Sequence, residues 1–195
     1  KFLKMAFAGL VLGVSSFAHV VLVLQADLTV ENTITISATS GTSLADVSGN
    51  SSIGFYLADF FDSTYSLIYT LQSGNLSSAN NTSDNSPQLW SDIDSIGLNV
   101  WEFTGDAGMT FTAGELAFSG QASWIVDTAS YLSALNGAQG GNVYAPADSD
   151  DLIANATLIG TWDIIRAEEV PEPSTLAIFA LGLMGLASRR FKKKS

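Results

Sequence analysis

The chain has 195 residues, no cysteine and a formal net charge of −11, so it has neither a disulfide framework nor a thiolate metal site. Residues 27–170 hold 18 of the acidic residues and a single basic residue, Arg166, which gives that stretch a formal charge of −17. Nucleic acid is excluded as a partner, because its phosphates require lysine and arginine for neutralisation.

An apolar run behind a basic start is the first predicted element. Two lysines precede the apolar residues 5–24, which is the layout of a secretory signal peptide. Signal peptidase requires small residues close before its cut, and Ala18 and Ala26 each end such a segment. The sequence therefore predicts a signal helix within residues 1–26, cleaved after Ala18 or Ala26. An uncleaved anchor is the alternative, since about 20 apolar residues span a bilayer.

Residues 27–169 form the predicted passenger and are rich in Ser, Thr, Asn, Asp and Gly. Short stretches of β-branched and aromatic residues alternate there with polar turns, a pattern typical of strands. The predicted strands cover residues 28–36, 53–61, 65–71, 96–103, 109–118, 122–126 and 157–165. Residues 131–135 predict one helical turn. The fold class that follows is all-β, with an antiparallel β-sandwich or jelly roll as the architecture.

The tail, residues 170–195, consists of three parts in order. The first, residues 170–175, contains Val170, Pro171, Glu172 and Pro173, and its prolines prevent helix and sheet hydrogen bonding. The second, residues 176–187, is apolar and compatible with a helix, which would rise only about 18 Å. The third, residues 188–195, is basic and favours the cytoplasmic side; its charged residues are Arg189, Arg190, Lys192, Lys193 and Lys194. The order predicts an exposed cleavage segment followed by a short C-terminal membrane helix.

This tail closely resembles the PEP-CTERM sorting signal of exported proteins in Gram-negative bacteria. The resemblance covers residues 170–195 and no part of the passenger. It implies recognition by an exosortase, a membrane-embedded cysteine protease, and cleavage near Pro171, Glu172 and Pro173. It also implies that the helix anchors the protein transiently in the inner membrane. The released protein is then expected at the cell surface or in an extracellular polysaccharide matrix.

Residues 27–170 contain no histidine, lysine or cysteine. This absence excludes Ser-His-Asp, Ser-Lys and thiol nucleophiles and the usual zinc ligands, so we expect no enzyme activity and no cofactor. Two kinds of site survive as alternatives. Paired carboxylates hydrolyse glycosides where the fold brings them together. Clustered carboxylates at residues 92–94 and 148–151 offer oxygen ligands for calcium, although a solvated acidic turn is the simpler interpretation of each.

The chain has four tryptophans, Trp90, Trp101, Trp124 and Trp162. Large aromatic side chains most often fill a core or a sheet face, so we expect that role in preference to a sugar-stacking platform. A carbohydrate-binding module is therefore the alternative function, with extracellular polysaccharide as its partner.

Overall fold

The computed structural model describes residues 21–48, 54–63, 67–80, 87–91, 95–101, 109–147 and 156–166. These residues form thirteen strands and one helix, numbered in chain order. The strands are β1 Leu22–Asp27, β2 Thr33–Ala38, β3 Val47–Ser48, β4 Gly54–Leu57, β5 Tyr69–Gly74, β6 Ser77–Ser78, β7 Gln88–Trp90, β8 Leu98–Trp101, β9 Thr110–Phe111, β10 Phe118–Ser119, β11 Gln121–Val126, β12 Gly140–Ala147 and β13 Thr157–Ile165. The helix is α1, Thr128–Asn136.

Nine of these strands form one sheet in the order β5-β11-β2-β1-β13-β12-β4-β8-β7. Neighbouring strands are antiparallel except β1 and β13, which run parallel. Two short ribbons, β6 with β10 and β3 with β9, complete the described strands. The predicted all-β class is confirmed. In place of two facing sheets, the described strands form this long sheet and its ribbons.

Side chains of the central strands alternate between the core and the outer face. In β2, Ile34 and Ile36 are fully buried, while Thr35 lies between them and is only half-buried. In β11, Ala122, Trp124 and Val126 follow the same rule. A period of two is what an extended chain produces when one face packs against apolar side chains and the other meets water.

Aromatic rings fill the middle of the core. Phe55 and Phe118 lie with their ring centroids 4.6 Å apart, and Phe111 packs edge-on against Phe118 at 5.1 Å. Trp162 is 1% exposed, and its ring centroid lies 5.1 Å from that of Phe60. The ribbons thus share one core with the long sheet.

The two ends of the long sheet approach each other at a seam between β5 and β7. The indole nitrogen of the buried Trp124 donates to the carbonyl oxygen of Pro87 at 3.2 Å, immediately before β7. The hydroxyl of Tyr69, in β5, donates to Gln88 in β7 at 3.4 Å. Side chains therefore bridge the seam, and the sheet is nearly closed.

The strand predictions have mixed outcomes. The predicted strand at residues 157–165 has the bounds of β13, and residues 122–126 lie within β11. The predicted helical turn at residues 131–135 lies within α1. The prediction of one strand over residues 28–36 is wrong, because the chain turns before β2 and Asn32 has a φ of 57° there.

The predicted signal helix and C-terminal membrane helix lie outside the described residues, apart from residues 21–26. Those six residues belong largely to β1, at the centre of the sheet. Within the described ranges, no helix is long and apolar enough to cross a membrane.

Candidate functional site

A row of polar side chains crosses the outer face of four adjacent strands. Its members stand opposite one another in register and are Gln121, Ser37, Gln25 and Asp163. The amide nitrogen of Gln25 donates to Asp163 at 3.1 Å, and the hydroxyl of Ser37 donates to the side-chain oxygen of Gln121 at 3.5 Å. Since neighbouring strands lie about 4.8 Å apart, the row is roughly 14 Å long. We call it the polar row.

A second set of hydroxyl groups lies beside the polar row. Thr35 and Ser123 stand opposite each other in β2 and β11, and their hydroxyl oxygens are 2.8 Å apart. Ser73, in β5, pairs with Ser123 on the other side. This part of the outer face therefore offers donors and acceptors that carry no net charge.

An open cavity of about 640 Å³ lies at the end of the polar row, where β2, β5 and β11 meet. Its lining residues are Ser37, Ala38, Ser73, Gly74, Asn75, Gly120 and Gln121. None of these seven residues is charged, although the domain around them is strongly acidic. A volume of this size is ordinary for a small-ligand site. We call it the polar cavity.

The backbone around the polar cavity is held by a tight corner between Asn75 and Gln121. The amide of Asn75 donates to the carbonyl of Gln121 at 2.8 Å. The amide of Gln121 donates in turn to the side-chain oxygen of Asn75 at 2.9 Å. Gly120 has a φ of +78°, and a Cβ at this position would lie 2.2 Å from the carbonyl oxygen of Asn75. The corner thus requires glycine, and it fixes where the Asn75 and Gln121 side chains start.

An aromatic row crosses the other part of the outer face. Its members stand in register on β7, β8, β4 and β12 and are Trp90, Asn99, Tyr56 and Tyr144. Tyr56 is covered, because its ring lies against Gly97 and its hydroxyl is 2.9 Å from that of Ser95. Trp90 is 48% exposed and Tyr144 is half-buried. The row is therefore interrupted and offers two separate aromatic surfaces.

The tryptophans divide between core and surface. Trp124 and Trp162 are buried, as predicted for core aromatics. Trp90 lies on the surface instead, at the outer side of an edge strand. Trp101 ends β8.

The carboxylates that the sequence singles out at residues 92–94 and 148–151 lie outside the described residues. Among the residues the structure does describe, no three acidic or histidine side chains are grouped so that they could hold a metal ion.

Two aspartates have lowered pKa values. Hydrogen bonds from Ser133 and Ser63 lower the pKa of Asp62, at 2.5 and 2.9 Å. Asp127 caps α1.

The polar row and the polar cavity escape sequence reasoning. In β2 hydroxyl residues alternate with isoleucines, and in β11 the polar Gln121 and Ser123 alternate with apolar residues, which indicates outward-facing positions. This alternation does not reveal which strands are neighbours, so the register that aligns Gln25 with Ser37 and Asp163 cannot be read from it.

The predicted processing residues Val170 to Pro173 and the basic residues from Arg189 to Lys194 lie outside the described ranges.

Comparison with known proteins identifies the end of the chain. The family model of the PEP-CTERM protein-sorting motif matches residues 169–193. No curated protein and no solved structure gives a significant match to the chain. The motif is the recognition element of exosortase-type membrane proteases, and it implies an exported protein with a transient membrane association. The C-terminal tail of this chain is a PEP-CTERM protein-sorting motif.

Proposed function

We propose that the chain is a non-catalytic protein of the cell surface or extracellular polysaccharide matrix of a Gram-negative bacterium. An exosortase-type protease cuts it near Pro171, Glu172 and Pro173, after the C-terminal helix has held it in the inner membrane. The observation that carries this proposal is the sorting motif at residues 169–193.

The position of the last strand supports cleavage without loss of the fold. β13 ends at Ile165, and only residues 166–170 separate it from Pro171. β13 is an interior strand that pairs with β1 on one side and β12 on the other. A cut near Pro173 therefore removes none of the described strands, and the released domain keeps the core that those strands form.

The position of β1 favours one of the two predicted signal-peptide cleavage sites. β1 begins at Leu22 and contributes the fully buried residues Leu24 and Ala26 to the core. Cleavage after Ala26 would remove this strand from the centre of the sheet, whereas cleavage after Ala18 would leave it whole. We therefore propose Ala18 as the end of the signal peptide.

Two features favour a non-catalytic role for the passenger. Residues 27–170 lack the histidine, lysine and cysteine that most nucleophilic and general-base mechanisms use. The lowered pKa values of Asp62 and Asp127 accompany serine and backbone hydrogen bonds, which stabilise ionised carboxylates in ordinary structural positions. No observation on the described residues favours the dicarboxylate glycoside hydrolase that the sequence leaves open.

A second candidate function is carbohydrate binding. It is favoured by the exposed Trp90 and by the uncharged polar cavity, because sugars combine apolar ring faces with neutral hydroxyl groups. This function is compatible with export and needs no catalytic residue.

Mass spectrometry of the exported protein tests the sorting proposal. In cells that make an exosortase, we expect the measured mass to correspond to a chain that ends near Pro173. We expect Glu172→Gln to abolish this cut. Glu168→Gln is the matched control, since Glu168 precedes the matched motif and its substitution should leave processing unchanged. Exported protein that keeps its lysine-rich end in the unsubstituted chain would contradict the proposal.

A further inference from the structure

We propose that the polar cavity and the polar row together bind a neutral polysaccharide. The inference rests on the proposed function in one respect, that an exported surface protein meets such polymers, and it names the class of partner. The binding site consists of Ser37, Ser73, Asn75 and Gln121 at the cavity, continued by Gln25 on β1.

The residues that line the polar cavity offer hydrogen-bonding groups that match those of a sugar. Carboxamide and hydroxyl groups both donate and accept hydrogen bonds without a net charge, as sugar hydroxyls do. The side-chain oxygen of Asn75 is committed to the amide of Gln121, while its amide nitrogen makes no bond among the described residues. Asn75, Ser73 and Gln121 are all exposed, so their free groups can reach a ligand.

Charge selects a neutral polymer over an anionic one. Residues 27–170 carry a formal charge of −17, and a uronate or sulfated chain would approach against this field. The polar cavity is free of acidic side chains, and Asp163 lies at the far end of the polar row. A neutral glycan can therefore occupy the cavity at little electrostatic cost.

The backbone around the polar cavity is preorganised by hydrogen bonds. The corner at Gly120 and the paired bonds between Asn75 and Gln121 fix the backbone on one side of the cavity. On the other side, the amide of Ala38 donates to the carbonyl of Gly120 at 2.9 Å. A site on rigid strands loses little conformational entropy when it binds, which matters for a ligand held mainly by hydrogen bonds.

The length of the site fits a polymer better than a single sugar. The polar row continues the cavity across β2, β1 and β13, over roughly 14 Å at the usual strand spacing. Several sugar units of one chain can contact the row together. Repeated weak contacts along one polymer raise the overall affinity through effective concentration.

Affinity electrophoresis of the full-length chain tests the proposal. The protein is kept in a detergent without a sugar headgroup and run through native gels that contain dextran or galactomannan as the neutral polymer, with alginate as the anionic polymer. We expect at least one neutral polymer to retard the protein and alginate not to. Gln121→Ala should weaken that binding by about two- to tenfold, the loss expected for one hydrogen bond. Ser73→Ile, which replaces a lining hydroxyl with a bulky apolar side chain, should abolish it.

Controls distinguish this site from the rest of the outer face. Gln88→Ala removes another exposed glutamine, from β7, and should leave binding unchanged. Trp90→Ala removes the rival aromatic surface and should also leave it unchanged. Near-ultraviolet circular dichroism verifies that each variant keeps its fold, and both cavity substitutions are at exposed positions that tolerate change.

Four results would overturn the proposal. They are retardation by none of the neutral polymers, retardation by alginate alone, binding that Gln121→Ala and Ser73→Ile leave intact, and binding that Trp90→Ala abolishes. The assay uses unprocessed protein and needs no exosortase. A negative result here therefore leaves the sorting proposal standing, and a failure of C-terminal processing leaves the glycan proposal standing.

Discussion

Asp127 organises the start of α1 with both oxygens of its carboxylate. One oxygen accepts from the backbone amides of Ala129 and Ser130 at 2.9 and 3.1 Å, and the other accepts from the hydroxyl of Ser130. Burial alone would raise the pKa of Asp127, but the bonds from Ser130 and the backbone amides outweigh it and lower the pKa. The ionised form is therefore the one that stabilises the folded protein.

We expect Asp127→Ala to lower the free energy of unfolding by about 1 kcal/mol at neutral pH, the usual cost of losing an N-cap. Asp127→Asn keeps a capping oxygen and should cost less. Because the folded pKa is lowered, the advantage of aspartate over asparagine is fully present above the unfolded pKa of about 3.9. It should disappear as the pH falls through the folded pKa. Urea titrations between pH 3 and 7 measure this, and a pH-independent difference would contradict it.

Two glycines with positive φ form a natural pair for comparing backbone strain with steric clash. Gly114 has a φ of +81° and nothing within 4 Å of the point that an alanine Cβ would occupy, whereas Gly120 has a φ of +78° and faces the Asn75 carbonyl at 2.2 Å. Gly114→Ala should therefore cost only the left-handed backbone penalty, about 1 kcal/mol. Gly120→Ala adds the clash and should cost roughly 3 kcal/mol or more. Equal losses in urea unfolding would mean that the corner relaxes freely.

At the scale of elements, the seam between β5 and β7 depends on Trp124 more than on Tyr69. The Trp124 indole is fully buried and donates to a buried carbonyl, that of Pro87. Trp124→Phe should cost about 2–4 kcal/mol, because it removes the indole donor from that buried carbonyl and leaves a void beside it. Tyr69→Phe loses an exposed 3.4 Å bond to Gln88 and should cost less than about 1 kcal/mol. Thermal unfolding of the two variants compares them, and the reverse order would contradict this account.

Sequence patterns predict those elements whose stability is local or whose apolar and polar residues alternate strongly. β13 and β11 carry β-branched and aromatic residues at regular spacing, and this spacing predicts both strands. The stretch 28–36 also alternates, yet Asn32 adopts a left-handed conformation that the pattern does not reveal. The alternation therefore hides a hairpin turn between β1 and β2.

The sorting tail and the polar cavity differ in how far they can be predicted. The tail is a contiguous motif, so it can be recognised directly in the sequence, and the family match at residues 169–193 agrees with this prediction. The polar cavity joins β2, β5 and β11, which are far apart in sequence. Their adjacency depends on strand pairing across the whole domain, which is a tertiary property.

At the scale of the whole molecule, the two ends of the described domain meet at the centre of the sheet. β1, its first strand, pairs in parallel with β13, its last strand, along Leu22–Asp27. The fold is thus closed by the final strand before the sorting motif. Until β13 is in place, β1 and β12 each lack a neighbour. Complete folding of the passenger therefore requires the chain up to the edge of the tail.

This topology predicts opposite outcomes for two truncations that differ by 18 residues. A chain ending at Pro173 keeps β13, so its free energy of unfolding should match the full-length value within about 0.5 kcal/mol. A chain ending at Asn155 loses β13, including the buried Ile159 and Trp162, and separates β1 from β12. We expect no cooperative thermal transition from it by circular dichroism. Destabilisation of the Pro173 chain would instead mean that the tail packs against the domain, because nothing else is removed.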